Sequence, residues 1–135
     1  MTGRLAALLL LAAAPAWAEP PACPFEGQTP KLVVELFFGQ SMKGQGLVSR
    51  RAWQRFVADT ITPALPDGFT VYDAYGQYPD PATRVIGREP TEVVVVAADD
   101  SAEFRVRVAG IADAYRRRFA QRSVGILTNT GCGVF

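Results

Sequence analysis

The sequence predicts an α+β domain of the ferredoxin-like kind, βαββαβ, with a four-stranded antiparallel sheet and two helices on one face. Three observations carry this. Along the chain, an alternating apolar stretch, a stretch rich in aromatic and branched residues, a continuous apolar run and a last short apolar stretch read as strands, and two stretches with apolar residues at three- and four-residue spacing read as helices. Each helical stretch separates two strand-like stretches, and right-handed crossovers resolve that order most simply into helices stacked on a single side. With 135 residues, 49% of them apolar and 20% charged, the chain has the size and composition of one ordinary globular domain.

The first segment, residues 1–18, is expected to be absent from the folded protein. Arg4 precedes a Leu/Ala run from Leu5 to Ala13, and Ala16-Trp17-Ala18 places small residues where signal peptidase needs them. The run is too short to span a bilayer, so a secretory signal cleaved before Glu19 is predicted, with export across the inner membrane to the periplasm. Cys23 follows Pro20-Pro21-Ala22, a context unsuited to lipid attachment, so no membrane anchor is expected after cleavage.

Residues 19–30 hold Pro20, Pro21, Pro24 and Pro30 and read as an extended leader, which leaves 31–135 as the domain. Lys31 to Gly39 alternates, with Leu32, Val34, Leu36 and Phe38 on one face and Val33, Glu35 and Phe37 on the other. That is a strand apolar on nearly both sides. Gln40 to Val48 is glycine-containing and polar, hence a loop. Ser49 is a natural N-cap for a helix over Arg50–Thr62 with Trp53, Phe56, Val57, Thr60 and Ile61 on its inner face, stopped by Pro63 and Pro66. Pro66-Asp67-Gly68 turns the chain into a second strand, Phe69–Tyr78. Residues 79–83 form the hairpin tip, Arg84–Glu89 begins the return, and Thr91–Ala98 is a buried third strand, with a bulge or an edge at Pro90. Asp100 with Glu103 fits a capping box for a helix to about Gln121 that buries Phe104, Val108, Ile111, Tyr115 and Phe119. Ser123–Thr128 is the fourth strand, followed by a Gly131-Cys132-Gly133 tail.

Composition excludes several chemistries. The chain has no His, so histidine bases, Ser-His-Asp or Cys-His catalysis and His-ligated metals are ruled out. Two lone Cys make no metal set. Removing the signal brings Lys+Arg and Asp+Glu into balance, and the Arg116-Arg117-Arg118 run sits where cations offset a helix dipole, so neither a nucleic-acid nor a membrane-surface partner is implied. Nothing calls for a cofactor. In the predicted topology the first and fourth strands are antiparallel neighbours, which brings Cys23 and Cys132 to one edge and predicts a disulfide that an oxidising compartment would keep.

The residues also resemble a known family. Phe37-Phe38-Gly39 with Ser41, Val48-Ser49 with Trp53 and Phe56, Pro66-Asp67-Gly68-Phe69-Thr70-Val71 with Asp73, Gly76-Gln77 and Arg88-Glu89 together resemble a secreted bacterial family catalogued as domain of unknown function 3574. The resemblance covers nearly the whole mature chain, and its most specific piece is PDGFTV followed by YGQ. It implies secretion and an α+β fold and assigns no reaction.

Two functional readings stand. Two helices cover one sheet face only, yet the first and third strands are apolar on both, so the open face is expected to meet a second copy, making a dimeric α+β barrel, or a small ligand. The first reading is a homodimeric binding or structural module without catalysis. The second is a cofactor-free enzyme of the dimeric barrel type, with Glu35, Asp73 or Glu89 as base and Gln77 or Arg84 orienting a small carboxylated or phenolic substrate. Under either, the ligand-binding candidates are Glu35, Asp73, Gln77, Arg84 and Glu89, expected to converge where the first strand meets the hairpin.

Overall fold

A computed structural model describes residues 22–135; the predicted signal peptide and its cleavage point lie outside them. The elements are β1 (Thr29–Gly39), β2 (Ser41–Met42), β3 (Gly46–Leu47), α1 (Arg50–Phe56), a π-helical turn (Val57–Ile61), α2 (Thr62–Ala64), β4 (Thr70–Pro79), β5 (Ile86–Ala98), α3 (Ala102–Arg118) and β6 (Gly125–Gly133). The four long strands form one antiparallel sheet in the order β4-β5-β1-β6. This is the ferredoxin-like order, with the third long strand between the first and second.

The alternation in β1 decides which face closes. Val34, Leu36 and Phe38 are fully buried, paired in register with Val96, Val94 and Glu92 of β5. Trp53, Phe56, Phe104, Val108, Ile111, Tyr115 and Phe119 pack onto them from the helices. The centre is aromatic: Tyr115 has its ring centroid 4.8 Å from Phe38, 5.2 Å from Phe56 and 4.8 Å from Phe119, mostly edge-on or tilted. Such pairs add to burial because positive ring edges meet negative faces. Val33, Glu35 and Phe37 point to the other side of the sheet, where none of the described helices lies.

Several boundaries differ from expectation, each for a local reason. The first helix does not stop at Pro63. It widens into a π turn over Val57–Ile61, where Thr62 donates to the Val57 carbonyl, and so carries Pro63 through a last turn to Ala64. Ser49 caps it as expected, accepting from the Ala52 N–H. For α3 the cap is Ser101, which accepts from the Phe104 N–H at 3.1 Å, rather than Asp100; Asp100 and Glu103 instead pair with Arg105 and Arg107. The segment expected as a loop holds the short β2–β3 hairpin.

Pro90 makes no bulge, because β5 pairs continuously with β4 from Ile86 to Val95. In a strand the N and C=O of a residue point the same way, and the Pro90 carbonyl accepts from the Gln40 N–H at 2.9 Å. The missing Pro90 N–H therefore faces Gln40, whose carbonyl is satisfied by the Val48 N–H at 2.8 Å. The β6 strand includes what read as a tail: Gly133 and Cys132 pair with Thr29 and Pro30, so β1 begins inside the expected leader. That pairing brings Cys23 to Cys132, which form a disulfide with Cα atoms 5.6 Å apart. Among the described residues no helix is long and apolar enough to cross a membrane.

Candidate functional site

The β5 strand outlasts β1. Their last pair is Gly39 with Thr91, whereas β4 stays with β5 as far as Pro79 and Ile86, so the β4–β5 pair projects beyond the end of β1. Two other segments wall the space this leaves on the open face. One is the β2–β3 hairpin with Lys43; the other is the chain after α3, Ala120 to Gly125. The result is a cleft of about 580 Å³, within the range of small-molecule sites.

Its floor is cleared by glycines. A Cβ at Gly39 would lie 2.7–2.8 Å from the Glu89 carboxyl atoms, so the absence of a side chain there is what lets the carboxylate lie across the strand end. Opposite Glu89 on β4 stands Gly76, and two residues along β5 stands Gly87, over which the Tyr78 ring lies. At Gly125 a Cβ would meet the Cβ of Phe37 at 3.2 Å. The carboxylate is half-buried, and its Oε2 accepts from the Ser41 N–H at 3.1 Å. No Lys or Arg among the described residues forms an ion pair with it.

The walls are braced from the closed face. The Tyr115 hydroxyl donates to the Gly39 carbonyl at 2.9 Å, and the buried Gln40 side chain donates to the Phe38 carbonyl and to the Tyr115 oxygen. Burial pushes the Tyr115 hydroxyl pKa well up, so it stays a donor. After α3, Ala120 adopts φ 50°, a left-handed conformation that usually takes Gly, and turns the chain back sharply. Gln121 then donates to the Ser41 carbonyl at 2.8 Å, locking this wall to the hairpin and leaving Arg122 and Ser123 on the cleft.

The five candidate residues do not converge. Glu89 alone lines the cleft. Glu35 shares its face but pairs with Val95 and Leu127, six residues along β5 from Glu89, roughly 20 Å at strand rise. Asp73 pairs with Glu92 on the helix-bearing side, where burial and then the Asp73 carboxyl raise the Glu92 pKa against the pull of Arg50. Gln77, on the same side, accepts from Arg88 Nε at 3.0 Å. Arg84 sits exposed at the hairpin tip with φ 61°, outside both strands. Convergence failed because neighbouring strand residues alternate faces, so the hairpin divides its polar residues between two sides.

Phe37, Ser41, Lys43, Gln121 and Arg122 were not among the candidates. The available signal was the placement of glycines inside strands at Gly39, Gly76, Gly87 and Gly125, which marks close approach rather than weak sheet.

The chain shows two kinds of likeness to known proteins. In fold it is similar to a phage SAM lyase in complex with S-methyl-5'-thioadenosine, with a TM-score of 0.60 and 12% identity, covering 78% of this chain and 90% of the lyase. The same holds for a phage SAM lyase in the apo state, with a TM-score of 0.57 and 16% identity over 75% of this chain and 81% of that one. At such identities the likeness is one of fold. No curated protein matches the chain. A family model covers residues 33–135, that is β1 beyond its first turns, both helical segments and the rest of the sheet, and by that match the chain belongs to the family described as "Protein of unknown function (DUF3574)".

Proposed function

We propose that this protein is a secreted small-molecule-binding module whose ligand sits in the open-face cleft around Glu89. The observation that carries the reading is a half-buried carboxylate, unpaired with any cation of the described chain, lying over the side-chain-free Gly39 in a concavity of about 580 Å³. A carboxylate so placed is costly to desolvate without a partner, and a ligand supplies one. Export rests on the N-terminal signal features and on the disulfide, which fits an oxidising compartment such as the periplasm. A second copy of the chain covers the rest of the open face in this reading. Tyr72 and Leu127 are half-exposed there beside Val33, Phe37 and Val95, a largely apolar surface around Glu35 that runs on to the cleft and suits a homodimer. Light scattering at micromolar concentration checks this part: a dimer mass is expected, and a monomer mass contradicts it.

A second reading is catalytic, with Glu89 as a base in a cofactor-free reaction. The likeness in fold to a SAM lyase that holds S-methyl-5'-thioadenosine favours it, and makes S-adenosylmethionine and S-methyl-5'-thioadenosine the first compounds to try.

A thermal-shift screen of the mature protein against small metabolites tests the site. A ligand at a hundred times its dissociation constant adds about 2.7 kcal/mol of stability. Glu89→Gln and Gly39→Ala are each expected to abolish the response while leaving the unliganded protein folded, because the new Cβ at position 39 meets only the movable end of Glu89. Full response in both variants would contradict the site.

A further inference from the structure

The two edges of the sheet are guarded unequally. At one edge β4 carries Asp73, whose carboxyl lies beside that of Glu92, and ends in Pro79. Both features discourage another strand from pairing there. At the other edge β6 runs for 9 residues, GILTNTGCG, with no charge and no proline, in unbroken register with β1. Ile126 to Thr130 are all exposed, and none of the described residues covers them. An uncharged strand without a bulge, left open in this way, is a template for pairing with another chain.

The register says which backbone groups are open. Directly opposite residues of an antiparallel pair alternate between hydrogen-bonded and non-bonded positions. The Gln40 N–H donates to the Pro90 carbonyl, so the even-numbered residues of β1 bond to β5 and the odd-numbered ones to β6. The residues of β6 opposite those odd-numbered ones are Gly125, Leu127, Asn129, Gly131 and Gly133. Ile126, Thr128 and Thr130 therefore turn their N–H and C=O groups outward, while the Cys132 carbonyl accepts from the Gln28 side chain at 3.4 Å. All three are β-branched, a side-chain type that suits a paired strand.

Two copies of this edge fit each other. With the two strands antiparallel about Thr128, each Thr128 stands opposite the partner's Thr128 and each Ile126 opposite the partner's Thr130. Every outward donor on the three residues then meets an outward acceptor. A two-fold pair sets a residue against its own copy, where any charge would repel itself, and β6 carries none. Resting on the homodimer reading above, we infer that β6 is the seam of the dimer, joining two four-stranded sheets into one continuous antiparallel sheet in the register centred on Thr128. Both open faces then lie on one side and both helix layers on the other. Curling the joined sheet toward its open side covers the surface around Glu35.

The test places charge at the point of self-contact. Thr128 is exposed and its N–H and C=O make no bond within the subunit, so Thr128→Lys and Thr128→Glu should keep the fold, checked by circular dichroism. Dimer dissociation constants are measured by sedimentation over a dilution series. Each variant alone is expected to raise the constant by about tenfold or more. A one-to-one mixture, with the Lys form carrying nitrogen-15, should return to within about threefold of the unsubstituted protein and give mixed dimers in native mass spectrometry. Thr128→Pro, which deletes only an outward N–H, should weaken the dimer by a route independent of charge. If all three variants dimerise like the unsubstituted protein, or if the mixture dissociates as readily as either variant alone, the seam is overturned and the homodimer reading stands. If the unsubstituted protein is a monomer, that reading falls together with the seam.

Discussion

The two faces of the sheet are built by alternate residues of the same strands and do opposite things. On the closed face Val34, Leu36 and Phe38 stand at full burial under an aromatic cluster. On the open face, at the cleft end, the same strands offer Gly39, Gly76, Gly87 and Gly125, with Glu89 lying over the first of them. One face removes volume from water and the other preserves it. The contrast teaches that a packed core and an open cleft are separated here by a single residue step along each strand.

The largest effect should come from breaking the closed face. Phe56 is fully buried, stacks on Trp53 and meets Phe38, Tyr115 and Phe119 edge-on, so Phe56→Ala is expected to cost about 3–5 kcal/mol in denaturant unfolding. Tyr78→Ala, on the half-exposed cleft wall, should change stability by no more than about 0.5 kcal/mol. Equal losses from the two would break the comparison.

Next is the cross-link at the opposite end of the sheet from the cleft. Replacing Cys23 and Cys132 together by Ser is expected to lower stability by about 2–4 kcal/mol, the usual range for a long closed loop. The cleft lies at the other end of β1, so thermal-shift responses that depend on Glu89 should persist in the variant. Thiol titration of unfolded protein isolated from the periplasm should find no free thiol.

Tyr115 joins the two faces. Its ring belongs to the aromatic cluster, while its hydroxyl holds the Gly39 carbonyl and accepts from Gln40. Tyr115→Phe keeps the ring but takes away the donor to the Gly39 carbonyl and the acceptor of one Gln40 amide N–H, at a cost of about 1–3 kcal/mol. It should also loosen the end of β1, seen as faster amide exchange at Ser41 and weaker ligand response.

The smallest effect is a pH dependence at the edge between β4 and β5. Burial, followed by the Asp73 carboxyl, raises the Glu92 pKa, so the folded protein holds a proton there that the unfolded chain releases earlier. Stability should therefore fall as pH rises from the ordinary glutamate range through the folded value. Glu92→Gln should remove that fall and leave the more acidic range unchanged. A variant with the wild-type slope in denaturant titrations at stepped pH would contradict the assignment.

The architecture was legible because both helices carried a three- to four-residue spacing and the strands read as alternating, branched-rich or continuously apolar stretches, and the Cys23–Cys132 disulfide followed from the predicted strand order. Boundaries were less legible where tertiary partners decided them. Pro63 reads as a stop until a π turn accommodates it, and Pro90 reads as a break until the partner it faces is seen to be Gln40. Of the five candidate residues only Glu89 lines the cleft. Sequence reasoning grouped residues by nearness on the hairpin, whereas the sheet sorts them by parity. The Arg122 wall depends on a left-handed Ala120 that no propensity announces.

The central claim, that the glycine-floored end of the open face is where this protein meets a small molecule, is tested most directly by amide-shift mapping. Isotope-labelled protein would be titrated with the strongest hits of the metabolite screen. Saturable shifts should concentrate at Gly39–Met42, Gly87–Thr91 and Gln121–Gly125, and disappear in Gly39→Ala. Shifts centred instead on Glu35 and its neighbours Val95 and Leu127, on the Asp73–Glu92 pair, or on the exposed side of α3 would contradict the account.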